Sequence, residues 1–212
     1  LIILGAGGHG KVVAETAIAI GCFKEIVFLD DRYSKNKSDS QIFHDLKVIG
    51  NLSFLIENDL SPTYSHVVVA LGKNILRSSW LKKLINTNYK LPALIHPKAW
   101  VSPSARISSG TVVFANVSIQ ANARVGVGAI LNTGCNIDHD VVLEDGVHIC
   151  PGASLAGGVY VGKRTMIGIG SSVIQNINIG SDVNIGAGST VVKNLPDKIT
   201  AIGSPARILS KN

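Results

Sequence analysis

From Ile95 to Val191 an aliphatic residue returns at every sixth position without a gap: Ile95, Val101, Ile107, Val113, Ile119, Val125, Leu131, Ile137, Leu143, Ile149, Leu155, Val161, Ile167, Val173, Ile179, Ile185 and Val191. An amphipathic helix spaces its apolar residues by three and four, and a half-buried strand by two, so neither accounts for a pure period of six. Four residues after each rung comes a small or modest side chain, from Ala99 and Ala105 through Cys135 to Ser189 and Leu195. A narrow prism interior requires that pairing. One position earlier stand Gly110, Gly128, Gly134, Gly146, Gly152, Gly158, Gly170 and Gly188, or Asn116, Asn122, Asn176 and Asn194, residue types that tolerate positive φ. A turn in every hexad predicts a parallel β-helix, whose coils bury their rungs only by stacking on one another. About seventeen hexads at three per coil make roughly five to six coils. A β-sandwich would need looser spacing and irregular loops.

The 212 residues, 46% hydrophobic and 16% charged, are far from a disordered composition. Two domains and a tail are expected: an α/β unit over residues 1–93, the β-helix over 94–196 and a C-terminal cap over 197–212. The apolar run at residues 1–4 is too short for a signal or a membrane span, so a soluble, cytoplasmic protein without membrane insertion is expected. The first residue is Leu1 rather than methionine, and a residue or more is expected ahead of it. Cys22, Cys135 and Cys150 have neither metal-ligand spacing nor an even number, so no metal site and no disulfide framework are expected. The net charge of +6 comes without a basic run or an interleaved aromatic series, which argues against nucleic acid and for small phosphorylated ligands.

The first ninety or so residues have a different grammar. An apolar strand at residues 1–4 meets Gly5-Ala6-Gly7-Gly8-His9-Gly10 and then a helical stretch over 11–20. Glycines in such a turn let backbone N–H groups approach a phosphate at the positive end of the helix. A second strand over 25–29 ends in Asp30-Asp31, about twenty residues past the last glycine, where such folds hold a ribose. Later strands are expected at 66–70 and 91–95, with a turn at Ala70-Leu71-Gly72-Lys73-Asn74 between them. About four strands is half a dinucleotide domain, so a single nucleotide or nucleotide sugar is favoured over NAD. His9 either touches a phosphate or caps the turn, while His44 and His66 are read as surface or strand-edge residues.

Within the repeats, Asn132-Thr133-Gly134-Cys135-Asn136-Ile137-Asp138-His139-Asp140 sets a histidine at an outward-pointing turn beside carboxylates. A neighbouring carboxylate favours the imidazolium formed on proton uptake, which suits a general base. Residues eighteen apart stack on successive coils, so His139 is expected between Ala121 and Gly157, with room beside it. His148 falls in reach of the same groove on this reading.

These motifs, with Gly203-Ser204-Pro205-Ala206-Arg207, resemble across nearly the whole chain the sialic acid O-acetyltransferase branch of the hexapeptide-repeat acyltransferases. That branch includes the bacterial N-acetyltransferases of UDP-linked 4-amino sugars in the bacillosamine pathway. The resemblance implies left-handed triangular coils, a homotrimer, and acetyl-CoA lying between adjacent prisms. It implies His139 as catalytic base, Asp140 as its partner and Asn132 as a further catalytic residue. For the coenzyme it implies contacts at His148, Gly157, Ile169 and Ala187, and for the sugar nucleotide at Gly7, Gly8, His9, Asp30, Asp31 and Gly72. Lys163, Arg164, Lys193 and Arg207 are candidates for phosphate contacts. The expected reaction is acetyl transfer to the 4-amino group of a UDP-2-acetamido-4-amino-2,4,6-trideoxyhexose. The rivals are O-acetylation of a sialic acid or related sugar, and a non-catalytic nucleotide-sugar sensor.

Overall fold

The computed structural model describes residues 1–32, 41–43 and 45–211; His44 lies outside them. The α/β unit runs β1 (Ile2–Leu4), α1 (Gly8–Ile20), β2 (Val27–Leu29), β3 (Gln41–Phe43), β4 (Leu46–Gly50), α2 (Phe54–Glu57), β5 (Val67–Val69) and α3 (Asn74–Leu84). Its strands lie in the order β3-β4-β2-β1-β5, parallel except for β3, which is antiparallel to β4. The expected strand at 91–95 is not part of this sheet. Leu94–Ile95 pairs instead with Val112–Val113 and opens the β-helix. The fourth parallel strand is β4, where Val48 and Gly50 are buried but Lys47 is exposed. That mixed pattern is what a strand near the sheet edge carries, and it hides β4 from a search for apolar runs.

From Leu94 to Val191 every hexad residue is the second member of a two-residue strand. Strands eighteen residues apart pair in parallel, as Ser118↔Asn136 and Ile119↔Ile137 do, and the coils form three faces of a left-handed parallel β-helix. The first face starts at Leu94–Ile95, the second at Trp100–Val101 and the third at Arg106–Ile107. At every sixth residue from Gly110 to Gly188 φ is positive, with Asp140, Arg164 and Asp182 taking the place of glycine or asparagine. Asn194, also expected there, does not have this conformation. The coil has ended, and its Oδ1 accepts from the Asn178 N–H instead.

The interior is a ladder of buried aliphatic rungs alternating with small residues. Fully burying a rung of this kind contributes roughly 1.5–3 kcal/mol, which is why a continuous series holds so thin a prism together. Where a small position is polar, its hydroxyl is satisfied within the core: Thr111, Thr165 and Ser171 donate to the carbonyls of Gly126, Gly180 and Gly186. The tail does more than cap the last coil. Ile199–Ile202 pairs in parallel with Asn184–Ile185, and Arg207–Lys211 folds back antiparallel against it, extending the first face to eight strands.

The α/β unit sits on the first face. Leu94, Val112 and Ile130, the outward residues of its first strands, share a buried cluster with Ile3, Val13, Phe28 and Val68. Helix α3 seats on the adjoining corner, where Gly110, Gly128 and Gly146 leave no side chain. A Cβ on Gly128 would collide with Leu81, and one on Gly146 with Ser78.

Candidate active site

His139 sits on the corner joining the second and third faces, with its side chain 61% exposed. Its Nδ1 is 2.8 Å from Asp140 Oδ2, and the other oxygen of Asp140 accepts from Asn122 Nδ2 at 3.3 Å. Asp138 accepts from the His139 backbone N–H at 2.7 Å. Asp140 reaches this position from a left-handed backbone, φ 59°, a conformation that aspartate adopts more readily than most residues. The hydrogen bond to Asp140, and then the charge of Asp138, raise the histidine's pKa; the same contact holds the Asp140 carboxyl below its ordinary value. The Nε2 edge lies over the bare α-carbon of Gly157, where a Cβ would collide with Nε2 and Cε1. Asp140 thus fixes one ring nitrogen, and the opposite edge of the ring lies over bare backbone with the side chain open to solvent.

His148 is elsewhere. It follows Ile130 on the first face, whereas the His139 corner joins the other two, so within one chain the two histidines stand on opposite sides of the prism. Asn132 goes with His148, its Nδ2 being 3.4 Å from His148 Nε2. Ile169 and Ala187 are exposed on the corner after the first face, one above the other through the Gly188 N–H to Ile169 carbonyl bond. Gly157 alone of the expected coenzyme contacts lies beside His139.

On the first face, His148 lies within electrostatic range of His9, at the start of α1, and Arg77, from α3. His9 packs edge-on to Phe114, with ring centroids 5.6 Å apart. Its Nε2 is buried and has no hydrogen-bond partner among the described residues. Burial, and then the Arg77 charge, depress the pKa of His9 to about 4, and the same causes with His9 added bring His148 to about 3. Both imidazoles are therefore neutral at ordinary pH. Arg77 is itself buried, 1% exposed. Its guanidinium donates to the carbonyls of Gly128, Gly146 and Leu71 and to Asn74 Oδ1, while Asn74 Nδ2 donates to the Arg164 carbonyl. Sequence reasoning missed Arg77, because nothing in a polar helix marks one arginine as the one that turns inward.

In the glycine turn, a Cβ on Gly10 would collide with the Gly5 carbonyl, so α1 can pack on β1 only with glycine there. Gly8 and Gly72 face open space, and Gly7 meets nothing closer than Arg32 at 3.8 Å. Helix α1 has no side-chain cap and no acidic residue in its first turn, so its amino end presents bare N–H groups. Asp30 braces this turn: Oδ2 accepts from the Ala6 N–H at 2.7 Å, and Arg32 bonds both oxygens. That pairing lowers its pKa to about 2. Asp31 accepts from the Leu52 N–H. Of the expected phosphate-binding cations, Arg164 is taken by Asp182 and Lys163 lies 3.6 Å from Asp145. Among the described residues no group of three or more His, Cys, Asp and Glu could hold a metal ion, and no helix is long and apolar enough to cross a membrane.

A half-sized Rossmann-like unit packed on a hexapeptide coil, with an acid-paired histidine at a coil corner, defines a hexapeptide-repeat protein with an α/β unit at its amino end. Residues 1–84 match the PglD N-terminal domain family. Over nearly its full length the chain is similar to the acetyltransferase domain of PglB from Neisseria gonorrhoeae FA1090 in complex with acetyl coenzyme A: 43% identity, 98% of each chain, TM-score 0.90. It is also similar to PerB from Caulobacter crescentus in complex with CoA and GDP-perosamine: 38% identity, 99% of this chain and 96% of that one, TM-score 0.88. A UDP-N-acetylbacillosamine N-acetyltransferase of Bacillus subtilis (strain 168) is 39% identical over 114 residues, which is 53% of this chain and 50% of that protein. The present chain thus spans half the length of that relative. The chain belongs to the family of hexapeptide-repeat acetyltransferases that carry a PglD-type N-terminal domain.

Proposed function

We propose that the protein transfers the acetyl group of acetyl-CoA to an amino group of a nucleotide-linked amino sugar. The specific acceptor is the 4-amino group of a UDP-2-acetamido-4-amino-2,4,6-trideoxyhexose. The observation that carries this reading is His139, exposed at a coil corner with Nδ1 on Asp140 and Nε2 free over Gly157. In the neutral tautomer that Asp140 selects, Nδ1 donates to the carboxylate and Nε2 accepts the proton leaving the sugar nitrogen. That nitrogen attacks the thioester carbonyl carbon, the C–S bond breaks, and CoA leaves as the thiol. Direct transfer needs no covalent intermediate on the protein, and holding both substrates in line lowers the barrier by up to about 7–11 kcal/mol.

A complete site requires a second copy of the chain. The glycine turn, Gly72, His9 and His148 cluster on the first-face side, and His139 is on the far corner. A homotrimer sets the corner of one copy beside the first-face cluster of the next, with Asn132, Ile169 and Ala187 along the seam that the coenzyme occupies. The relatives support the substrate class, since one is named for UDP-N-acetylbacillosamine and another was solved with CoA and GDP-perosamine.

Thiol release followed on incubation with acetyl-CoA and a panel of acceptors tests the reading. Release with a UDP-4-amino sugar and none with free sialic acid is the expected result. Release with sialic acid alone would replace nitrogen by oxygen as the acceptor. With no release from any acceptor, and ligand affinity unchanged in His139→Ala, the protein would be a sensor.

A further inference from the structure

We propose that Arg106 and Arg124, on the third face next to the His139 corner, form a clamp for the diphosphate of the nucleotide sugar. The inference rests on the acetyl-transfer reading and adds a ligand contact made by the β-helix itself. Arg106 and Arg124 are direct register partners on adjacent parallel strands, which sets their α-carbons about 4.8 Å apart. Like charges directly opposite in a sheet oppose each other, so the pair is a cost to the fold unless something negative lies across it.

Among the described residues no carboxylate pairs with either of them, and the acids nearby are engaged. Asp140 holds His139 and Asn122, Asp138 holds the His139 N–H, Glu144 is bonded by Tyr160, and Asp145 accepts from the Val127 N–H. Both guanidiniums line an open cleft of about 710 Å³ together with Ser104, Asn122 and Asp140. Such a cleft accommodates two phosphate groups. Two parallel guanidinium forks match their oxygens better than ammonium groups would.

Level along the prism selects the donor of the phosphates. Arg106 and Arg124 belong to the same early coils as Leu94, Val112 and Ile130, against which the α/β unit packs. A nucleotide held by the glycine turn of a neighbouring copy therefore reaches their height. Ile169 and Ala187, on the seam assigned to the coenzyme, lie several strands further along. Asp140, at the cleft's rim, connects it to the base, so a sugar whose diphosphate lies on the arginines extends toward His139 Nε2.

The test uses the full chain with Arg106→Ala, Arg124→Ala, the double variant and Arg124→Lys. Both residues are exposed, so folding should be unaffected. KM for the acceptor should rise about ten-fold per guanidinium removed, with kcat at saturating acceptor and KM for acetyl-CoA within about two-fold of wild type, and Arg124→Lys should recover part of the loss. Independently of turnover, calorimetry should show weaker binding of UDP or GDP and unchanged binding of the parent nucleoside. An increase confined to the KM for acetyl-CoA would assign the arginines to the coenzyme and overturn the proposal. So would unchanged nucleoside diphosphate affinity, or dissociation of the assembly in the double variant, which would make the pair a subunit contact. Should the wild type acetylate no nucleotide sugar, the transfer reading fails, while the UDP and nucleoside comparison still decides the clamp.

Discussion

At the scale of single residues, the proposed reaction depends on keeping the His139 imidazole neutral with its Nε2 lone pair directed outward. His139→Ala removes the proton acceptor and should lower kcat by about 10²–10⁴-fold with little change in KM, measured by thiol release. Asp140→Asn retains the shape but loses the carboxylate that raises the histidine's pKa. A base works only when unprotonated, so rate falls as pH drops through its pKa, and that pKa lies above the ordinary histidine value in the wild type. Removing the cause of the upward shift should move the acid limb of the kcat/KM profile to lower pH while reducing its plateau. Gly157→Ala should lower activity as well, because its Cβ would displace the ring. Much of this corner was legible in the sequence. A hexad is a local object, so the turn position of His139, its outward direction and the glycine beside it follow from counting six and eighteen. Arg77 and the orphaned His9 Nε2 were not legible, since their surroundings come from residues 51 to 70 positions away or from the domain interface.

At the scale of elements, helix α3 is the joint between the two units, and its seating explains why some turn glycines matter more than others. Gly128 and Gly134 have nearly the same φ, 64° and 66°, but a Cβ on Gly128 would strike Leu81 while one on Gly134 meets open space. Gly134→Ala should therefore cost only about 1–2 kcal/mol of backbone strain. Gly128→Ala should cost visibly more, because the helix must also lift, and thermal unfolding of the pair would show the difference. Arg77→Met strips partners from buried carbonyls in both units, at about 1–3 kcal/mol for each one left unsatisfied, and should be the most destabilising change at this joint. The histidines here also make it acid-labile. His9 and His148 titrate in the folded protein at about 4 and about 3, below the 6.5 of the unfolded chain, so between these limits the unfolded state binds the protons. Stability should decline as pH falls below about 6.5, by up to about 1.4 kcal/mol per pH unit for each histidine. His148→Asn should flatten that decline. Strand β4 and the α3 joint escaped the sequence for one reason: each mixes apolar with polar or charged residues, and only packing decides which of them turn inward.

At the scale of the whole molecule, the three-faced coil separates His139 from His148, the two halves of the proposed site. A corner of a triangular prism faces away from the opposite side, so His139 and His148 of one chain cannot approach the same acetyl group however the side chains move. In the homotrimer proposed above, rotational symmetry resolves this, because each copy's corner would meet the next copy's first face. His139→Ala and His148→Ala chains should each be nearly inactive alone and should regain activity when mixed under conditions that allow subunit exchange. A productive seam then needs an intact His139 from one copy and an intact His148 from its neighbour. At equal mixing each condition holds for half the chains, so about one quarter of the wild-type activity should return if the ring is heterologous. Recovery would fail if both histidines served one site within a single chain, since every site would then carry a lesion. The quarter-recovery experiment thus tests the separation that the six-residue period imposes when it sends residue 139 to a corner and residue 148 to the face opposite.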